Sequence, residues 1–107
     1  MGGKQPFELI YDPEFKGHLQ FVEPKYRSLI RSTIEEQLLF SADVETRNRK
    51  PLKRPVPFSA DWELRFGPNN RFRAFYSVNH ERHEVILVAL GIKDRERLTI
   101  GGEEIPL

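Results

Sequence analysis

The chain has 107 residues, of which 38% are hydrophobic and 31% charged, and it contains no cysteine. This length predicts a single folded domain over residues 1–107, and the composition excludes a disordered chain. The absence of cysteine excludes disulfides, thiolate catalysis and cysteine-ligated metal sites. No long apolar run predicts a membrane span or an export signal, so we expect a cytoplasmic protein. We also expect no metal ion and no small-molecule cofactor.

The net charge of +1 conceals an uneven distribution of charged residues. From Arg47 to Arg73 there are eight basic and two acidic residues, a local balance of +6, whereas the rest of the chain carries nine basic and fourteen acidic residues, a balance of −5. Clustered cations bind polyanions well, because binding releases the counterions condensed on a phosphate backbone. The basic stretch therefore favours a nucleic acid as partner, with a solvated basic loop as the alternative.

The first third of the chain predicts a short strand followed by two helices. The strand covers residues 7–11 (FELIY). Asp12 is a suitable N-cap and Pro13 suits a first helical turn, so a short helix should follow. A second, longer helix should begin after Pro24, since apolar residues then recur at helical spacing: Tyr26, Leu29, Ile30, Ile34 and Leu38. We expect a helical hairpin whose apolar stripe packs against a sheet.

Residues 41–60 predict a long connecting loop. The segment contains three prolines and five basic residues, and no periodic pattern continues through it. Long loops in small domains are more often functional than idle. The basic residues would line the approach to the sheet, which makes four of them candidate RNA contacts: Arg49, Lys50, Lys53 and Arg54.

Residues 61–91 predict an antiparallel meander of three strands. Three runs rich in aromatic and β-branched residues are separated by the turn-forming clusters GPNN and NHERHE. A five-residue loop sets the register of the first two strands, with these opposed pairs: Phe66 and Phe72, Leu64 and Ala74, Trp62 and Tyr76, Arg65 and Arg73, Glu63 and Phe75. Each strand then has one apolar face and one mostly polar, arginine-bearing face.

Arg65 and Arg73 would therefore lie directly across a strand pair. Like charges in this position repel, and a sheet selected for stability alone usually avoids them. A bound anion would relieve the repulsion. The alternative is that both guanidinium groups point into water, with Glu63 as a diagonal partner.

The third strand, residues 85–90, is apolar at every position, which is typical of a central strand covered on both faces. Gly91 should end it, and a charged turn or short helix bearing Lys93 and Arg95 should follow, with an edge strand or loose end as the tail. We expect the N-terminal strand to pair elsewhere in the sheet, and another segment to cover part of the second face. The predicted fold is α+β, in the order β-α-α-β-β-β, with a two-helix hairpin packed on one face of a small antiparallel sheet.

This order, together with the stretches WELRF, FRAFYSV and VILVALGIKDR, resembles the RelE/ParE superfamily of toxins from bacterial type II toxin–antitoxin systems. The resemblance covers residue 7 to about residue 98. It implies one of two activities: RelE-like members are endoribonucleases that cut mRNA in the ribosomal A site, and ParE-like members bind DNA gyrase and are not nucleases. It also implies a cognate antitoxin, encoded by a neighbouring gene, as partner. A relative that only binds its antitoxin is a further alternative.

By its matching positions, the resemblance implies that Arg65, Arg73 and Lys93 are working residues, with Arg95 beside them. The chain departs from the family pattern at two positions: Glu63 stands where members carry a lysine, and Thr99 where some carry a tyrosine. This leaves the general base open between Glu63 and Lys93.

Two further residues are candidate RNA contacts from the sequence. Arg71 extends the cationic strand, and Phe75 could either stack on a nucleobase or pack as an ordinary core residue. The three histidines, His18, His80 and His83, are expected to be exposed and unpaired. The expected partners are the antitoxin, the ribosome and mRNA.

Overall fold

The computed structural model describes residues 5–53, 56 and 58–106. That part of the chain has two α-helices, α1 (Pro13–His18) and α2 (Arg27–Leu38), and three short 3-10 helices (Leu19–Phe21, Pro24–Tyr26 and Pro68–Asn70). The strands are β1 (Glu8–Tyr11), β2 (Arg49–Pro51), β3 (Trp62–Phe66), β4 (Phe72–Asn79), β5 (Glu84–Asp94), β6 (Arg97–Ile100) and β7 (Glu103–Ile105). The fold is α+β with a mostly antiparallel sheet, as predicted, but it has more strands than the sequence indicated.

The sheet runs in the order β2-β3-β4-β5-β6-β7, and each pair of neighbours is antiparallel. β1 pairs in parallel with the first part of β5, from Glu84 to Leu87. The prediction that the N-terminal strand pairs away from this strand is therefore wrong. β5 has eleven residues, so one of its edges has room for β1 at the start and β6 at the end.

Gly91 lies inside β5, so the prediction that it ends the strand is also wrong. A Cβ at this position would lie 2.9 Å from Leu98 Cδ1 and 3.3 Å from Ile100 Cγ1. The glycine therefore allows β6 to approach β5 closely, which is a common use of glycine within a strand. The charged segment after it continues β5 to Asp94 and turns into β6, where a turn or short helix was predicted. β6 and β7 form a hairpin with β7 at the edge of the sheet, so the edge-strand alternative for the tail is confirmed.

The predicted register of β3 and β4 is confirmed at all five residue pairs. Between β4 and β5 the register shifts at Phe75 and Tyr76, which oppose Ala89 and Leu87. Val88 is the extra residue of this β-bulge. The bulge allows a change of register without moving the apolar side chains of either strand to the wrong face.

The helices cover one face of the sheet. Asp12 caps α1 as predicted, accepting a hydrogen bond from the Glu14 backbone N–H at 2.9 Å. The buried positions of α2 are Ile30, Ile34 and Leu38, whereas Leu29, which was placed on the apolar stripe, is exposed. The helix-side core also takes in these buried sheet residues: Leu64, Phe66, Phe72, Ala74, Tyr76, Val85, Leu87 and Leu90.

The second face of the sheet carries a smaller core, formed by Phe75, Ala89 and Leu98. Apolar side chains from the chain between β2 and β3 and from β6 and β7 pack over it: Leu52, Val56, Phe58, Ala60, Ile100 and Ile105. The expectation that another segment covers part of this face is confirmed. Residues 41–60 are not entirely loop, since they include β2, which extends the sheet beside β3.

Candidate functional site

Arg65 and Arg73 lie opposite each other on β3 and β4, on the face of the sheet away from the helices. Their placement follows from side-chain alternation: Leu64, Phe66, Phe72 and Ala74 are buried in the helix-side core, which turns the residues between them to the second face. The Arg65 side chain is 46% exposed, whereas that of Arg73 is only 7% exposed. One guanidinium group of the pair is therefore open to solvent and the other is buried beside it.

The carboxylate of Glu63 lies between the two arginines. Its Oε1 is 2.8 Å from Arg65 Nε and its Oε2 is 3.9 Å from Arg73 Nε. Glu63 itself is largely buried, with 15% of its side chain exposed. The anion that relieves the repulsion between the arginines is thus the protein's own carboxylate, which corresponds to the diagonal-partner alternative.

Arg73 is held in place by more than this ion pair. Its guanidinium group donates a hydrogen bond to the Asn70 carbonyl oxygen at 2.7 Å, across the β3–β4 loop. Burial lowers the pKa of Arg73, the Glu63 carboxylate raises it and the Arg65 guanidinium lowers it. Arginine remains protonated at physiological pH even so. Arg73 is therefore a fixed positive charge at the base of the site.

Phe75 does not lie on an open surface. It is 1% exposed, and its ring packs edge-on against Phe58 with 5.2 Å between ring centroids. The packing alternative is therefore the correct one, and stacking on a nucleobase is excluded in this conformation. The reason is that Leu52, Val56, Phe58 and Ala60 pack over this face of the sheet, which side-chain alternation within β4 cannot reveal.

Arg49 is buried as well, so its expected exposure in the basic loop is wrong. β2 pairs Arg49 with Leu64, whose side chain faces the helices, so Arg49 points to the same side. Its guanidinium group donates to the Gln37 carbonyl oxygen at 2.7 Å, to Gln37 Oε1 at 2.9 Å and to the Val44 carbonyl oxygen at 3.1 Å. This arginine ties β2 to the end of α2.

The remaining predicted cations are distributed around the arginine pair. Lys50 is exposed and opposes Glu63, so it shares the face of the site. Lys93 is two residues beyond Gly91, the partner of Arg73, and its backbone N–H donates to the Arg71 carbonyl oxygen at 2.7 Å. We call the following set the basic face: Lys50, Arg65, Arg71, Arg73 and Lys93.

The other three predicted RNA contacts lie beyond the basic face. Lys53 is exposed on the segment that follows β2. Arg95 is exposed in the turn between β5 and β6, with a φ of 57°. Arg54 lies outside the described residues.

His18 and His83 have partners that the sequence did not predict, and the Nδ1 of exposed His80 lies 3.9 Å from Asp43 Oδ2. His18 accepts a hydrogen bond at Nδ1 from the Leu90 backbone N–H, at 3.1 Å, on the edge of β5 between the segments paired with β1 and β6. Burial lowers the pKa of His18, and Glu14 and Asp12 raise it. His83 stacks on Phe7 with 4.2 Å between ring centroids. Both side chains therefore connect segments that are distant in the sequence.

A cleft of about 670 Å³ between β1, α1 and α2 was not predicted. Apolar side chains and three cations line it, and the buried Tyr11 hydroxyl has no hydrogen-bond partner among the described residues. Burial raises the pKa of Tyr11; Glu35 raises it further, and Arg31 lowers it. The signal available in the sequence was weak, because Tyr11 ends an ordinary apolar strand.

No family model matches the chain, and no curated protein matches it significantly. Within the described part of the chain, neither helix has the length and apolar character needed to cross a membrane. The basic face is therefore the feature of the described residues from which a function can be inferred.

Proposed function

We propose that this protein is a RelE-like toxin of a type II toxin–antitoxin system, which acts in the cytoplasm by cleaving mRNA on the ribosome and is restrained by a cognate antitoxin. The observation that carries the proposal is the basic face: five cations from β2, β3, the β3–β4 loop, β4 and β5 share one face of the sheet, and two of them, Arg65 and Arg73, pair with the carboxylate of Glu63. Such a surface suits a phosphate backbone, because guanidinium groups match pairs of phosphate oxygens.

The arginines would act on the charge that develops during cleavage. In this reaction the 2′-oxygen of a ribose attacks the adjacent phosphorus and the bond from phosphorus to the 5′-oxygen breaks, which leaves a 2′,3′-cyclic phosphate and a 5′-hydroxyl. The transition state places extra negative charge on the phosphoryl oxygens. Arg65, the exposed member of the pair, would contact these oxygens, and Arg73 would add a fixed positive charge behind it.

A base must accept the proton of the 2′-hydroxyl, and an acid must protonate the leaving oxygen. Glu63 is engaged by both arginines, which disfavours it as the base in this arrangement. Lys93 lies on the same face and is half-buried, so we assign the proton transfer to Lys93. The ribosome would supply the in-line orientation of the substrate.

The test is induction of the protein in bacteria with growth and transcript ends followed together. We expect growth arrest and transcript ends within codons for the unaltered protein, and at least a tenfold loss of cleavage for Arg65→Ala, on the scale measured when one electrostatic contact to a transition state is removed (about 10²–10³). Arg31→Ala is the matched control, since Arg31 is an exposed arginine on α2 that is 3.9 Å from Glu35. Equal arrest by Arg65→Ala and Arg31→Ala would contradict the assigned site.

A second candidate function is ParE-like binding to DNA gyrase without nuclease activity. It is favoured by the engagement of Glu63 in ion pairs and by the burial of Phe75, which remove one proposed base and one proposed stacking residue from the surface. This candidate predicts a DNA-damage response with intact transcripts. Expression with neither arrest nor damage would instead indicate a relative whose function is limited to binding its antitoxin.

A further inference from the structure

The ion pairs of Glu63 place a carboxylate where the proposed function needs a phosphate. Glu63 approaches Arg65 at 2.8 Å and Arg73 at 3.9 Å with its two different oxygens, so it spans the gap between the guanidinium groups. A phosphodiester has the same features, two charged oxygens on one central atom, and would use the same donors. Both anions cannot occupy that position at once.

The sequence makes the carboxylate a strong local competitor. Glu63 and Arg65 are two residues apart on β3, so their side chains leave the same face of one strand and need no long-range folding to meet. Arg73, the second partner of Glu63, is held in place, because it is buried and donates a hydrogen bond to the Asn70 carbonyl oxygen. An incoming phosphate must therefore displace Glu63 from Arg65, the exposed partner, while Arg73 stays in place.

We propose that Glu63 is an internal competitor for the phosphate site of the basic face, so that it weakens binding of single-stranded RNA by occupying Arg65 and Arg73 until an RNA phosphodiester displaces it. This inference rests on the proposed function for its ligand. It explains why an acidic residue occupies the middle of a cationic surface: the protein binds RNA weakly in free solution and needs further contacts, such as those of a ribosome-bound message, to engage it.

The structural alternative predicts the opposite effect of removing the charge. If Glu63 served only to hold the two arginines together, its loss would leave them repelling each other and RNA binding would weaken. Glu63→Gln separates the two ideas, since it preserves the shape and an oxygen acceptor for the Arg65 N–H while it removes the negative charge. A like charge next to a bound anion opposes association, so its removal should strengthen binding.

The experiment is a fluorescence anisotropy titration of an end-labelled, single-stranded oligoribonucleotide with purified wild-type protein and Glu63→Gln. We expect the variant to bind on the order of tenfold more tightly. The salt dependence should also steepen by about 0.7 in the slope of log K against log salt, because one more cation is free to neutralise a phosphate. Glu104→Gln is the matched control: it removes one negative charge from an exposed ion pair, 3.5 Å from Arg97, and should change affinity less than about twofold.

In the titration of a folded Glu63→Gln protein, either of two results would overturn the inference: binding of RNA no tighter than that of Glu104→Gln, or binding weaker than that of wild type. If Glu63→Gln does not fold, the wild-type protein gives the answer by NMR, since the side-chain carboxyl carbon resonance of Glu63 must shift when the oligoribonucleotide saturates the site. An unchanged resonance at saturation would equally refute displacement, and so would the absence of any RNA binding. If the wild-type protein cleaves transcripts but Glu63→Gln binds RNA no more tightly, this inference alone is overturned. If Glu63→Gln binds RNA more tightly but the wild-type protein cleaves no transcripts, the proposed nuclease activity is overturned.

Discussion

Arg49 can be tested for a structural role against a role in RNA binding. The sequence predicts it as an RNA contact, whereas the structure places it in a buried hydrogen-bond network. Arg49→Ala removes three hydrogen bonds from a charged donor, two to Gln37 and one to the Val44 carbonyl oxygen. The Gln37 carbonyl belongs to the last turn of α2 and has no partner within that helix, so the guanidinium also interacts favourably with the negative end of the helix dipole.

The cost of Arg49→Ala can be bounded from these contacts. Hydrogen bonds to charged groups contribute about 1.5–3 kcal/mol each when counted alone, but water can replace part of them once the side chain is gone. A net loss of about 3 kcal/mol is therefore expected. With an m-value of about 1.5 kcal/mol per M, this loss lowers the urea midpoint by about 2 M.

The assay is urea unfolding followed by circular dichroism, with RNA affinity measured on the same samples under native conditions. Lys50→Ala is the control, since Lys50 is the exposed neighbour on β2 and its loss should change stability by less than about 0.5 kcal/mol. Arg49→Lys should fall between the two, because lysine keeps the charge but not the planar set of donors. The reasoning is refuted if Arg49→Ala unfolds at the wild-type midpoint and instead loses as much RNA affinity as Arg65→Ala.

Two further predictions concern the backbone and the pH dependence of stability. Gly67 has a φ of 84° and a Cβ there would lie 2.4 Å from the Phe72 ring, so Gly67→Ala should destabilise the protein by about 1–3 kcal/mol in thermal unfolding. The control, Gly17→Ala, should be neutral or stabilising, because no atom lies within 4 Å of its Cβ. Equal melting temperatures for the two variants would contradict this account. Because burial lowers the pKa of His18, the unfolded chain takes up this proton at a higher pH than the folded protein does, so stability should be level above the ordinary histidine value of about 6.5 and should fall as the pH drops below it. His18→Gln, which can still accept from the Leu90 N–H, should show a smaller fall, and an unchanged pH profile would show that His18 is not the group responsible.

Much of the local structure could be predicted from the sequence, for physical reasons that are themselves local. Side chains alternate strictly along a strand, so the apolar residues of β3 and β4 determined both the register and the face on which Arg65 and Arg73 lie. The Asp12–Pro13 pair likewise determined the start of α1, because the capping hydrogen bond spans only two residues. Such features need no knowledge of what packs on the other side.

Only the tertiary structure decided which of these side chains are exposed and can contact a ligand. Alternation assigns a residue to a face, but burial depends on segments that are distant in the chain. Phe58 and its apolar neighbours Leu52, Val56 and Ala60 pack over the sheet and cover Phe75, and the pairing of β2 with β3 turns Arg49 inward to the end of α2. The sequence thus determined where the arginine pair would stand, and the packing of remote segments decided that Arg65 is open, that Arg73 is buried and that Glu63 lies between them.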